Sequence, residues 1–253
     1  MIKFGLIGHP LTGSGSPALF AKAYAGRWPY ELIDEPSFEA AWSRFLADYK
    51  AINVTAPFKT AAFERVAACG RLSADAIACG AVNIVVKEDA GGSGCAGSAS
   101  PVLAGYNSDY LGLKALLSAE GFGPGDVAVV AGFGGAGRAA AAAAGALGMD
   151  VTVCNRTPLV PGGGPLPARP LSELPLLAGV ADIVIYTLPV AVPEVVELLA
   201  AGASAGPAPV VLEANYHTPC LENYPGRYIS GERWLLEQAR AGYALMTGRE
   251  PVL

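Results

Sequence analysis

The chain has 253 residues, 52% of them hydrophobic and 15% charged, with a net charge of −5. That composition buries a substantial core and excludes a disordered tail protein. The acidic balance excludes a nucleic-acid binder, which needs a basic face, but leaves room for a small anionic ligand held by a few local cations or helix N-termini.

In chain order, "IKFGLIG" reads as an apolar strand, followed by a Gly/Ser loop and a helix starting at Pro17. "WPYELID" and "AINVT" read as strands on either side of a helical pattern over Phe38–Asp48. "TAAFERVAAC" reads as a helix and "AVNIVVK" as a further strand, an alternation that predicts a parallel α/β arrangement. The Gly/Ala/Ser-rich segment 88–104 is expected to be an extended hairpin connection or a loop, and "PLVPGGGPLPARP" at 158–170 a second loop. The terminal "GERWLLEQARAGYALMTG" reads as a helix.

The clearest motif is "DVAVVAGFGGAGRAAAAAAGALG". Val127–Ala131 is a short apolar strand, residues 132–137 form a glycine loop, and Arg138–Leu147 is an alanine-rich helix. Gly132, Gly134 and Gly137 meet the G-x-G-x-x-G spacing, which supplies a tight turn, close pyrophosphate approach and helix-on-strand packing. The helix N-terminus adds amide donors and its dipole. An NAD site places an acid at the end of the following strand; here "VTVC" runs into Asn155, Arg156 and Thr157. Arg156 can pair with a 2′-phosphate, which favours NADP over NAD.

Three polar clusters lie in apolar surroundings in the first half: "GHPLTGSGSP" with Ser14 and Ser16, "NVTAPFK" with Thr55 and Lys59, and "GYNSDYLG" with Asp109. Locally, Ser16 is equally an N-cap, and Asp109 a helix cap. Five cysteines without a CxxC pair and two histidines, His9 and His217, assemble no metal site, so the thiols are expected to be reduced and buried. "MIKFGLIGHP" lacks the basic and apolar regions of a signal peptide, and Leu198–Leu212 is too short and too broken by Gly and Pro for a membrane span. "GASAG" around Ser204 fits G-x-S-x-G formally but follows a helical run over Pro193–Ala201 rather than a strand, which excludes a hydrolase elbow.

Taken in order, "GLIGHPLTGSGSP", "NVTAPFK", "GAVN", "GYNSDYLG", "GFGGAGRAA", "NRT" and the terminal helix resemble the shikimate dehydrogenase family over nearly the whole chain. The resemblance implies an α/β substrate domain over 1–104, completed by 231–253, and a Rossmann-type NADP-binding domain over 105–230. It implies NADP-dependent interconversion of 3-dehydroshikimate and shikimate in aromatic amino-acid (chorismate) biosynthesis, in a cytoplasmic monomer or homodimer that binds neither nucleic acid nor membrane. By matching motifs, Lys59 and Asp109 would be the catalytic pair, and Ser14 and Ser16 would hold the substrate carboxylate. Thr55, Asn83, Tyr216 and Gln238 would complete the substrate site. Gly132, Gly134, Gly135, Ala136, Asn155, Arg156, Thr157 and Gly231 would line the cofactor, with no metal.

The sequence departs from the family pattern at several places. Ile84 follows Asn83 where a threonine is usual, Ser108 replaces a threonine before Asp109, and Val160 stands near the place of a second basic residue. Glu213 and Tyr216 match an Asp-x-x-Tyr pattern loosely, and Trp234 stands where a methionine is common. These leave open a quinate/shikimate dehydrogenase with relaxed cofactor use, a shikimate-analogue dehydrogenase, or a non-catalytic NADP-binding sensor.

Overall fold

A computed structural model describes residues 1–88, 101–156, 168–193, 197, 199 and 208–253. Two compact units are present: Met1–Ser108 with Ala239–Leu253, and Asp109–Gln238. These boundaries fall within helices, whereas the sequence places domain limits at 104/105 and 230/231.

In the first unit the strands are β1 (Phe4–Gly8), β2 (Tyr30–Asp34), β3 (Ala51–Val54), β4 (Gly70–Leu72), β5 (Ile84–Glu88) and β6 (Val102–Tyr106). They form one sheet in the order β2-β1-β3-β5-β6-β4. The pairings β1·β2, β1·β3 and β4·β6 are parallel, but β5 runs antiparallel to both β3 and β6. The parallel arrangement expected from the strand–helix alternation is therefore corrected to a mixed sheet, in which β5 and β6 pair antiparallel as an extended hairpin connection at 88–104 requires. Residues 102–104, expected in a loop, belong to β6 and pair with β5 from Glu88↔Val102 onward; 89–100 lie outside the described residues.

The period-two alternation of the strands sorts two cores. Ile7, Ile33, Ile52, Val54 and Val85 meet Trp42 and Phe45 of α2 (Phe38–Asp48) and Ala62 and Val66 of α3 (Lys59–Cys69) on one face. On the other face, Phe4, Ala51, Ile84 and Val86 meet Phe20 of α1 (Ser16–Ala23), and Tyr243 and Met246 from the C-terminal helix. Helix α2 coincides with its expected span, and Ser37 Oγ accepts from the Ala40 amide as its N-cap. Ser16, expected as the N-cap of α1, is instead inside the helix; Gly15 holds the cap position, and the Ser16 amide donates to Ser14 Oγ at 3.4 Å. A short helix, α4 (Ala74–Cys79), which the sequence pattern did not announce, precedes β5.

The second unit has six strands, β7 (Val127–Ala131), β8 (Asp150–Asn155), β9 (Ala168–Pro170), β10 (Ile183–Tyr186), β11 (Val210–Glu213) and β12 (Tyr228–Ser230). All its pairings are parallel, in the order β9-β8-β7-β10-β11-β12. Numbered from β7, this is 3-2-1-4-5-6, the doubly wound order with a switch point between β7 and β10. Helix α6 (Gly135–Ala146) buries Ala139, Ala140, Ala143 and Ala144, whose small side chains let it lie close on the sheet. It begins earlier than Arg138, so Gly135, Ala136 and Gly137 form its first turn rather than a loop. Helices α5 (Ser108–Ala119), α7 (Leu174–Ala178) and α8 (Gly231–Thr247) complete the described elements that bear on the sites. The chain thus joins a mixed α/β unit to a Rossmann-type unit, with the end of α8 returning to the first.

Candidate active site

At one edge of the first sheet the ends of β1, β3 and β6 and the start of β5 coincide, because Ile7 pairs with Val54, Asn53 with Ile84 and Ile84 with Tyr106. Four of the expected substrate residues and Lys59 gather at this edge. The Thr55 amide donates to Ile7 O, the Val54 amide to Asn83 O, and the Val82 amide to Lys59 O. Lys59 is the first residue of α3 and half-buried. At Gly8 an added Cβ would press on Thr55 and on Leu11 of the serine loop, so only glycine lets the two loops meet there.

Ser14 Oγ donates to Ser16 Oγ at 3.2 Å, placing the two hydroxyls side by side. Behind them, the Tyr30 hydroxyl donates to Asn53 Oδ1 at 2.8 Å. Burial pushes the Tyr30 phenol well above its ordinary value, the neighbouring Tyr243 adds to this, and a hydrogen bond with Ser16 opposes it. Tyr30 and Asn53 were not singled out in the sequence. Asn53 sits inside "NVTAPFK" and could have been, whereas Tyr30 reaches the cluster only through β-sheet pairing.

Asn83 is buried, and its carboxamide oxygen accepts from the Ser108 amide at 2.7 Å, so it also orders the start of α5. The preceding Asn107 amide donates to Asp75 Oδ2 at 2.6 Å. Asp109 then falls in the first turn of α5 as the first residue of the second unit.

Within the second unit, Asp109 O accepts from Trp234 Nε1 at 2.8 Å. Burial raises the Tyr216 phenol, and the Asp109 charge raises it further, which puts these two expected residues within electrostatic range. Gln238 lies one turn after Trp234, with its backbone against Gly112 of α5. Tyr216 stacks on His217 at 4.2 Å between centroids, in the segment after β11. That segment is held by Glu213, which is fully buried and accepts from the Cys220 and Leu221 amides at 2.7 and 3.0 Å, the Cys220 thiol and the Tyr228 hydroxyl. The loose Asp-x-x-Tyr match singles out Glu213 in the sequence but carries no signal of this role.

The glycine motif occupies the carboxyl edge of β7, at the switch point. Gly132 has φ +96°, and its amide donates to Cys154 O, tying the turn to β8. Gly134 caps α6, and a Cβ at Gly134 or Gly135 would meet nothing within 4 Å. Gly137 differs: its Cβ would collide with Gly132 O. The open pair leaves a cradle at the helix N-terminus with room for a phosphate, beside the half-buried Ala136, and the closed glycine seats the helix. Asn155 ends β8 and the exposed Arg156 follows it beside this loop, since Ala131 pairs with Cys154; Thr157 lies outside the described residues, as do Val160 and Ser204. Gly231 is buried against Glu213 O and Ala214 O, where any side chain would clash, so packing alone requires a glycine there. Thr187, missed in the sequence, donates through its hydroxyl to Ala131 O at 2.8 Å and closes the switch point from the β10 side. Its only signal was a hydroxyl and a proline, "TLP", after an apolar strand.

Among the described residues no group of His, Cys, Asp or Glu could hold a metal ion, and no helix is long and apolar enough to cross a membrane. The fold and the glycine cradle define a two-unit α/β protein carrying a Rossmann-type dinucleotide-binding unit. The family model of the shikimate dehydrogenase substrate binding domain matches residues 6–85. The shikimate dehydrogenase (NADP(+)) of Thermus thermophilus is 35% identical over 164 residues, which cover 62% of this chain and 57% of that enzyme's length. The Archaeoglobus fulgidus shikimate dehydrogenase (NADP(+)) is 27% identical across 99% of this chain and 94% of its own. The crystal structure of shikimate 5-dehydrogenase from Thermus thermophilus, in complex with NADP(H) and shikimate, superposes with a TM-score of 0.79 at 29% identity, covering 100% of this chain and 95% of that one. Over its whole length the chain is similar to shikimate dehydrogenases, and its residues 6–85 match their substrate binding domain.

Proposed function

We propose that the protein interconverts shikimate and 3-dehydroshikimate with NADP, as a step of aromatic amino-acid biosynthesis. The observation that carries this reading is the gathering of Ser14, Ser16, Thr55, Lys59 and Asn83 at one sheet edge of a chain that also carries the glycine cradle at 132–137. The relatives named NADP(+) enzymes, and the Thermus complex with NADP(H) and shikimate, support it. The substrate is assigned to the first unit and the cofactor to the second.

The two hydroxyls of Ser14 and Ser16 receive the substrate carboxylate, and Thr55, Asn83, Gln238 and Tyr216 bind its hydroxyls and ring. Oxidation of the secondary alcohol removes a hydride from carbon and a proton from oxygen as the carbonyl forms. The nicotinamide, when bound, supplies the hydride-accepting or hydride-donating centre. Lys59 Nζ takes up the hydroxyl proton in oxidation and returns it to the carbonyl oxygen in reduction, and Asp109 orients that ammonium. A positioned acid–base group of this kind contributes about 10²–10⁴-fold. At the other end of the cofactor, Gly134, Gly135 and Ala136 admit the pyrophosphate. Asn155, Arg156 and Thr157 receive the adenosine 2′-phosphate, with no acid at the end of β8 to oppose it.

The test is product identity. Incubated with 3-dehydroshikimate and NADPH, the protein is expected to form shikimate, recognised by its proton NMR spectrum, with one NADPH oxidised per shikimate formed. Unchanged 3-dehydroshikimate would overturn the assignment.

A further inference from the structure

We infer that Trp234 is a positioning residue for Asp109, acting through its indole N–H; the inference rests on the proposed catalytic role of Asp109. Three consecutive residues at the start of α5 each have a backbone group held by a distant side chain. The Asn107 amide is held by Asp75 at 2.6 Å, the Ser108 amide by Asn83 at 2.7 Å and the Asp109 carbonyl by Trp234 at 2.8 Å. The last of these lies within the second unit. Its ring is buried and the bond is part-buried, and the residue is separated from Asp109 by 125 positions in sequence.

The same face of α8 fixes the approach of the two helices. One turn beyond Asp109, a Cβ on Gly112 would run into the backbone of Gln238, which itself lies one turn beyond Trp234. Backbone contact at Gly112 and the indole bond at Asp109 therefore set where α5 lies along α8, and with it the spacing of the Asp109 and Gln238 side chains. An indole meets two demands here, filling the buried space and donating a hydrogen bond; an apolar side chain of similar bulk meets only the first.

Separating these demands makes the test. Trp234 is replaced by β-(3-benzothienyl)alanine, which keeps the bicyclic shape but has sulfur in place of N–H, and in parallel by Trp234→Phe. With shikimate and NADP⁺ the isosteric variant is expected to lose about 5- to 10-fold in kcat, the typical effect of one neutral hydrogen bond, with KM for shikimate within about twofold. Backbone amide exchange at 109–113 is expected to accelerate by a similar factor while the rest of the chain exchanges as before. Wild-type kcat together with wild-type exchange at 109–113 in the isosteric variant overturns the inference, as does a change confined to KM. If the wild-type protein does not turn over shikimate, the functional reading fails and the exchange measurement alone decides whether Trp234 fixes Asp109. If Trp234→Phe does not fold, the isosteric variant carries the comparison.

Discussion

Two glycines in the first turn of α6, Gly135 and Gly137, should respond to alanine in opposite ways. At Gly137 the added methyl carbon would sit 2.2 Å from Gly132 O and 2.8 Å from its carbonyl carbon, both rigid backbone atoms at the end of β7. That leaves it more than about 1 Å short of van der Waals contact, so the first turn of α6 must lift from the sheet. Overpacking of this kind costs about 1–3 kcal/mol, or roughly 2–12 °C in Tm for a chain of this size. At Gly135 the methyl meets nothing within 4 Å. Alanine there favours the helix by up to about 1 kcal/mol, so Tm should hold or rise. The same methyl nevertheless fills the space through which a pyrophosphate reaches the amides of α6. The loss of charge-assisted hydrogen bonds then weakens NADP by about 10- to 150-fold. Scanning calorimetry and calorimetric titration with NADP⁺ on both variants test the pair. Gly137→Ala should be destabilised, whereas Gly135→Ala should be stable and weak in NADP binding. Equal melting of Gly137→Ala and wild type, or NADP binding by Gly135→Ala at wild-type affinity, would refute the reasoning.

Arg156→Ala is expected to weaken NADP⁺ about 10- to 100-fold and leave NAD⁺ unchanged, since only the former carries the 2′-phosphate; steady-state KM values for both cofactors check this. Stability should fall in alkali. Burial pushes the Cys154 and Cys220 thiols up to about 11 from 9.0, and the Tyr49 and Tyr186 phenols up to about 12 from 10.0. Below pH 9 these groups are neutral in both states and their contribution is complete; above it the unfolded chain loses protons first, so stability drains as pH rises towards 11 and 12. Urea midpoints measured across that range should fall steadily, and a flat or rising series would contradict this.

What could be read in the sequence was local. The span of α2, the strand β7 and the glycine motif after it all rest on neighbours within a few residues, and Phe38–Asp48 and Val127–Ala131 match the structure residue for residue. Strand direction has no such local signal. "IVVKE" reads the same whether it runs with β3 or against it, and only the short α4 and the pairing with β6 make β5 antiparallel. The start of α6 was misplaced because glycine and alanine in its first turn resemble a loop. At Ser16 the wrong hydroxyl was chosen as the helix partner: a proline at position 17 announces the helix, but the oxygen that accepts the amide belongs to Ser14. Glu213 and Trp234 stand out in the sequence only as departures from the family pattern, and the contacts they make are hidden for a different reason. Their partners lie in other elements, so a buried carboxylate with four donors and an indole on a distant carbonyl leave no trace in spacing. The place of Lys59, just past the end of β3, is legible because proline, a strand end and a lysine fall within seven residues.

The central claim is that this chain oxidises shikimate with NADP⁺ and that Lys59 moves the proton. Initial rates of NADPH formation, followed by absorbance with shikimate and NADP⁺, test it most directly when wild type and Lys59→Ala are run side by side. The account predicts steady turnover by wild type and a fall of about 10²–10⁴-fold in kcat for the variant, with NADP⁺ binding retained. Turnover by Lys59→Ala at the wild-type rate, or none by a wild-type protein that binds NADP⁺, would contradict it.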